Sequence, residues 1–183
     1  GQEEEVTRRY LGVLVAVVLG TAALGCNKMG GGSQSAGATD HPLVGAPAPP
    51  FALPAHYGDA KKVSLADGSG KVMLVDFWAT WCEPCKDSFP HHQALAEKYA
   101  GQVVVIGISI DDEPDGIPDF AKKNGGKFPI GWDEGQAVSG TYQPPTMPTA
   151  YIIDKSGIVR YVHAGFRKGD ELEIDAHVAE LLK

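Results

Sequence analysis

Val72-Met73-Leu74-Val75-Asp76-Phe77-Trp78-Ala79-Thr80-Trp81-Cys82-Glu83-Pro84-Cys85-Lys86 reads as three pieces in succession: an apolar strand, a sharp turn carrying two cysteines, and the first turn of a helix. Val72 to Phe77 is mostly apolar with β-branched members, the composition of a strand covered on both faces. Pro84 has no backbone N–H to lose, and a first helical turn leaves its N–H groups unpaired in any case, so a helix starts there. Cys82 then falls at the helix N-terminus, where unpaired N–H groups and the helix dipole favour a thiolate. Cys85 falls one turn further on, within disulfide reach. Asp76 breaks the apolar run, and a buried carboxylate is costly unless it has a task or a partner.

A Cys-x-x-Cys pair also occurs in zinc sites, which need two further ligands. The chain has one other cysteine, Cys26, and none of its six histidines shows His-x-x-x-His spacing. Redox chemistry is therefore preferred to a metal site, and neither a metal nor a cofactor is expected. The stretch resembles the active-site segment of the thioredoxin superfamily. Its Trp81-Cys82-Glu83-Pro84-Cys85 core resembles the membrane-anchored TlpA/ResA-type thiol-disulfide oxidoreductases. The resemblance covers about residues 43–183 and implies an α/β thioredoxin fold, a central mixed β-sheet flanked by helices, with an N-terminal strand extension and a central insertion.

The resemblance also implies roles. Cys82 is the nucleophile, since only a thiolate attacks a disulfide, and Cys85 resolves the mixed disulfide to leave Cys82–Cys85 oxidised. Asp76, six residues before Cys82, corresponds to the buried acid that accepts the Cys85 proton through water, and burial should raise its pKa. Pro148, in Met147-Pro148-Thr149, corresponds to a cis-proline opposite the cysteines, which turns the Met147 backbone toward a client docking as an added strand. Trp81, Glu83, Pro84, Met147 and Thr149 would contact that client. Glu83, a negative charge between the cysteines, disfavours the thiolate. Where thioredoxin carries a lysine on the next strand near the buried acid, this chain has Gly107. Glu113 and Glu134 are candidates for a glutamate that relatives place near the site.

Upstream, Arg8 and Arg9 precede a 14-residue uncharged run, Leu11 to Leu24. That is short for a membrane span and suits a signal-peptide core. The run ends Ala22-Ala23-Leu24-Gly25-Cys26, similar to a bacterial lipobox with Cys26 as the lipidated residue. A lipoprotein leads over an uncleaved anchor and ordinary cleavage. Domain boundaries follow: signal peptide 1–25, a Gly/Ser-rich flexible tether 26–41, and a thioredoxin-like domain 42–183. His41 to Pro54 carries five prolines and is extended, with a short edge strand where Phe51 and Leu53 alternate.

Downstream, a helix should run from Cys85 to about Ala100 with Phe89, Leu95, Ala96 and Tyr99 inward and a kink at Pro90. Val103 to Ile110 is a second buried strand. Asp111–Gln143 looks like the central insertion, with short helices near Asp115–Asn124 and Glu134–Tyr142 and a short strand or extended segment at Phe128–Asp133. Thr149–Ile153 and Ile158–His163 form a hairpin. Asp170 can cap a last helix with Ile174, Val178, Leu181 and Leu182 inward. His91, His92 and His163 read as structural or solvated residues, and Asp111, Asp112, Glu113 and Asp115 as an acidic loop.

A net charge of −7 without a basic patch argues against nucleic acid. The expected activity is reduction of disulfides in exported proteins, with apocytochrome c one client class by family analogy. Its partners would be disulfide-containing exported proteins, a membrane thiol electron donor, and the membrane through the Cys26 lipid anchor. The rivals are a peroxiredoxin-like peroxide reductase, whose Thr-x-x-Cys pattern is replaced by Ala79 three places before Cys82, and a Sco-like copper-binding protein, which uses a Cys-x-x-x-Cys spacing.

Overall fold

The computed structural model describes residues 40–183. The predicted signal peptide, Cys26 and most of the predicted tether therefore lie outside the described residues. Among the described residues, no helix is long and apolar enough to cross a membrane.

Strands β1 (Ala52–Tyr57), β2 (Lys62–Ser64) and β3 (Val72–Trp78) lead into helix α1 (Glu83–Lys98). Strand β4 (Val103–Ser109), helix α2 (Ile117–Lys123), strand β5 (Ile130–Trp132) and helix α3 (Ala137–Tyr142) follow. Strands β6 (Thr149–Ile153) and β7 (Val159–Ala164) and helix α4 (Asp170–Leu182) complete the chain. One seven-stranded mixed sheet has the order β2-β1-β5-β4-β3-β6-β7. β3 lies inside it, parallel to β4 and antiparallel to β6. All seven β3 residues are buried, which is why this strand reads as a continuous apolar run.

Side chains alternate across a strand, so β3 feeds two cores. Val72, Leu74 and Trp78 pack with Cys85, Phe89 and Leu95 of α1 and with Ile174 and Val178 of α4. Met73, Val75 and Phe77 pack on the opposite face with Ile106, Ile108, Tyr142 and Tyr151. Each fully buried Leu, Val or Phe contributes roughly 1.5–3 kcal/mol relative to exposure. Together they fix β3 in the sheet and with it the start of α1. That helix runs unbroken through Pro90.

The short strand expected in the central insertion is β5, which bridges β4 and β1 in the sheet. Three expectations need correction. The short strand near Phe51 and Leu53 is β1, but it is interior; β2 turns back on it and takes the edge instead. The helix expected over Glu134–Tyr142 is split, because Gln136 adopts a left-handed φ of 56°. A 3₁₀ turn ends there and α3 begins, its first N–H groups met by the Asp133 carboxylate at Val138 (3.0 Å) and Ser139 (2.7 Å). Finally, Gly169 rather than Asp170 occupies the N-cap of α4. The Asp170 carboxylate instead accepts the Arg167 N–H, and Asp170, Glu171 and Glu173 place negative charge in the first turn, where the helix dipole favours it.

Candidate active site

The chain leaves the C-terminal end of β3, turns through Ala79, Thr80 and Trp81, and enters α1 with Cys82 as its N-cap residue and Pro84 in the first turn. Cys82 and Cys85 are joined by a disulfide with their Cα atoms 5.4 Å apart. Cys85 is sealed, and Cys82 is 3% exposed. Both cysteines are thus buried, and Cys82 is the one of the pair that lines a cleft. In the reduced protein the Cys82 thiolate would lie where the helix N–H groups point, which lowers its pKa.

The turn is held by a residue that reads from sequence as one of an acidic loop. Asp111 is buried just beyond β4. Its carboxylate accepts the Thr80 N–H (3.0 and 3.1 Å), the Thr80 hydroxyl (2.7 Å) and the Ser109 hydroxyl (2.7 Å). Its backbone carbonyl accepts the Trp132 indole N–H at 2.8 Å. This network ties the dithiol turn to β4 and β5.

Beside the disulfide lies an open cleft of about 480 Å³. Trp81, Glu83 and Pro84 line it from the cysteine turn, Ile110, Thr146 and Met147 from the strand ends, and Cys82 opens into it. Trp81 is 67% exposed, unusual for so large an apolar side chain. The Met147–Pro148 peptide is cis, and the Pro148 carbonyl accepts the Gly165 N–H at 2.7 Å. Thr149 stands apart from the other candidates: it is fully buried, and its hydroxyl donates to the Thr146 carbonyl at 2.6 Å. Glu83 is exposed and paired with Lys86. Glu113 and Glu134 are both exposed, and neither lines the cleft.

Asp76 lies on the same side of β3 as Leu74 and Trp78, the face covered by α1. It is completely buried, and neither carboxylate oxygen has a hydrogen-bond partner among the described residues. Desolvation raises its pKa, and the nearby His92 pulls it back. His92 Nε2 lies 3.5 Å from Asp76 Oδ2. Across the sheet, Asp76 faces Gly107 on β4. A side chain there would meet Trp78 Nε1 at 3.0 Å, Ile130 at 3.1 Å and Phe128 at 3.2 Å, so the space is already filled.

From sequence, His92 reads as solvated or half-buried. It is 2% exposed and belongs to the inner face of α1 with Cys85, Ser88, Phe89 and Leu95. The 3- and 4-residue spacing from Cys85 through Phe89 to His92 was the available signal. His91 is exposed. His163 is also buried; its Nε2 and His177 Nδ1 are 3.0 Å apart, and His177 stacks on Tyr161 at 3.7 Å between ring centroids. Burial lowers the His163 pKa to about 4. The ligand atoms of His163, Glu173 and His177 lie within 4.8 Å of one another. His163 Nε2 and His177 Nδ1 already engage each other, so we read the group as a hydrogen-bonded pair.

Comparison with known proteins agrees with this geometry. The model of the AhpC/TSA family matches residues 44–162. The thiol-disulfide oxidoreductase ResA of Bacillus anthracis is 35% identical over 131 residues, covering 71% of this chain and 75% of the relative. The thioredoxin-like protein YneN of Bacillus subtilis is 33% identical over 132 residues, covering 70% and 76%. A crystal structure from Chlorobium tepidum, described as a thiol:disulfide interchange protein DsbE, superposes with a TM-score of 0.71 at 33% identity, covering 76% of this chain and 98% of that one.

Proposed function

The chain belongs to the AhpC/TSA family and to the TlpA/ResA-like thiol-disulfide oxidoreductases, and from that premise we propose that its Cys82/Cys85 couple reduces disulfides of exported proteins. The observation that carries the reading is the disulfide at the N-terminus of α1, with Cys82 opening into the cleft and Cys85 sealed beneath it.

The proposed cycle starts from the dithiol. A client segment lies in the cleft, extended beside Met147 and Pro148 and packed on Trp81 and Pro84. The Cys82 thiolate attacks one client sulfur, the client disulfide breaks, and the other client sulfur leaves as a thiolate. Cys85 then loses its proton to Asp76, and its thiolate attacks the Cys82 sulfur. The Cys82–Cys85 bond forms, the mixed disulfide breaks, and the second client sulfur departs. Two electrons have passed to the client, and a membrane thiol donor would return the couple to the dithiol. The sealed site suits this order, since water and small oxidants reach Cys82 before Cys85.

Location is part of the proposal. Signal cleavage before Cys26 and lipidation there would hold the domain on the outer side of the cytoplasmic membrane, where client disulfides form. ResA-like kinship makes the cysteines of apocytochrome c one client class within this reading.

The test is an equilibrium titration of the couple against glutathione, with Cys82→Ser and Cys85→Ser as controls. A couple more reducing than glutathione, and a Cys85→Ser protein trapped as a mixed disulfide through Cys82, support a reductase. A couple close to the strongly oxidising end of the fold's range, about −120 mV, would make the protein an oxidant instead. Membrane release of a Cys26→Ala protein checks the anchor.

A further inference from the structure

Asp76 must both receive and lose a proton, yet it is sealed from solvent. The row of residues across the sheet at this level is Gly107 on β4, Asp76 on β3, Ala150 on β6 and His163 on β7. In-register neighbours put their side chains on one face, so β4 and β6 offer no titratable group beside Asp76. The small Ala150 leaves room above the sheet, and His92 of α1 enters it. His92 Nε2, 3.5 Å from Asp76 Oδ2, is the one ionisable nitrogen recorded beside the carboxylate among the described residues.

His92 also borders the outside. Together with His91, Lys98, Glu171, Leu172 and Asp175 it lines a groove of about 260 Å³ between α1 and α4. The dithiol cleft is lined by a separate set of residues. Imidazole takes a proton on one nitrogen and releases it from the other, and its ordinary pKa lies near neutrality. A histidine with one nitrogen toward a sealed acid and its ring at a groove can connect the two.

We propose that His92 is a positioning and proton-carrying residue that links Asp76 to solvent through the α1–α4 groove, so that protons leave by a route separate from the cleft that a client occupies. The proposal rests on the reading of Asp76 as the acceptor of the Cys85 proton. In the oxidising half of the cycle, Asp76–COOH first passes its proton to His92 Nε2, and imidazolium loses a proton to water in the groove. Cys85–SH then gives its proton to the freed Asp76 carboxylate, and the thiolate attacks Cys82. Reduction of the disulfide runs the same transfers backwards, with the electrons supplied by the thiol donor. The groups facing His92 are Asp76 of β3, the groove carboxylates Glu171 and Asp175 of α4, His91 and Lys98 of α1, and the buried His163 of β7.

The experiment follows the two release steps of the reduced full chain mixed with dithiobis(nitrobenzoate). The first thionitrobenzoate leaves when Cys82 attacks, and the second when Cys85 displaces it. In His92→Ala the second phase is expected to slow about tenfold or more and the first to stay within about twofold, and added imidazole is expected to restore the second phase. His92→Gln, which keeps a polar side chain in the space, is expected to show the same slow phase without rescue and a shifted pH profile. Melting temperatures of both variants check that the fold persists. A second phase at the wild-type rate in both variants, with Asp76→Asn slow, overturns the His92 route while leaving Asp76 in place. Wild-type rates in Asp76→Asn as well overturn both readings. A slow His92→Ala with no response to imidazole and an unmoved pH profile assigns His92 to packing alone and overturns the proposal.

Discussion

Two aspartates belong to neighbouring parallel strands, Asp76 within β3 and Asp111 just beyond β4, both under a tenth exposed, and their surroundings are opposite. Asp111 accepts from the Thr80 N–H, the Thr80 hydroxyl and the Ser109 hydroxyl. Asp76 accepts from no partner recorded among the described residues and has only His92 nearby. A carboxylate ringed by donors acts as a fastener. A carboxylate sealed among apolar groups is held toward its neutral form and becomes a proton store. Equal burial thus yields one structural acid and, in the proposed cycle, one reactive acid, and the number of donors separates them.

The largest expected effect comes from breaking the fastener. Asp111→Ala leaves the Thr80 N–H, the Thr80 hydroxyl and the Ser109 hydroxyl without their acceptor, which should cost about 3–4 kcal/mol in urea unfolding. It should also loosen the dithiol turn, read as faster reduction of the disulfide by an external thiol.

Breaking the reactive acid should do the reverse to stability. The Asp76 pKa is raised in the fold by desolvation. Its stabilising neutral form is fully present below the unfolded carboxylate pKa and is lost as pH rises through the raised folded value. Asp76→Asn therefore stabilises the protein by an amount that grows with pH, checked by melting temperature from about pH 5 to pH 9. The same change should slow resolution of the mixed disulfide by about one to two orders of magnitude. An Asp76→Asn protein that is less stable at high pH would contradict the contrast with Asp111.

A buried base sharpens the comparison from the other side. His163 is held neutral, its pKa lowered from 6.5 to about 4 by burial and by the neighbouring imidazoles. The unfolded chain binds this proton first, so stability falls as pH drops from 6.5 toward about 4. The whole loss is at most about 3 kcal/mol. His163→Gln should flatten that acid limb in denaturant titrations at several pH values.

The smallest effect belongs to the exposed acid. Glu83 faces solvent and Lys86 partly offsets its charge. Glu83→Gln should lower the Cys82 thiol pKa by a few tenths of a unit, read from thiolate absorbance. A shift as large as a full unit would mean that exposure does not separate Glu83 from the buried acids.

Much of the fold was legible because β3 needs apolar side chains on both faces and α1 needs a proline-tolerant start. The same local rules placed Cys82 and Cys85 and marked Asp76 as an anomaly. What escaped was contact between distant segments. Asp111 read as one charge in an acidic cluster, because its partner Thr80 lies 31 residues away. His92 read as half of a histidine pair, although Phe89 three residues before it and Leu95 three after both point inward. The helix expected over Glu134–Tyr142 was broken by a left-handed Gln136, a residue with no sequence signature for that conformation.

The linear chain by itself determined which sulfurs pair and which strand is central, because short-range spacing and apolar pattern encode them, and the resemblance of the cysteine segment pointed to the family. Only tertiary packing decided that β5 joins the sheet, that Asp111 is a clasp, and that His92 stands over Asp76. Those outcomes depend on how many donors and how much water reach a side chain, and that is set by segments tens of residues away.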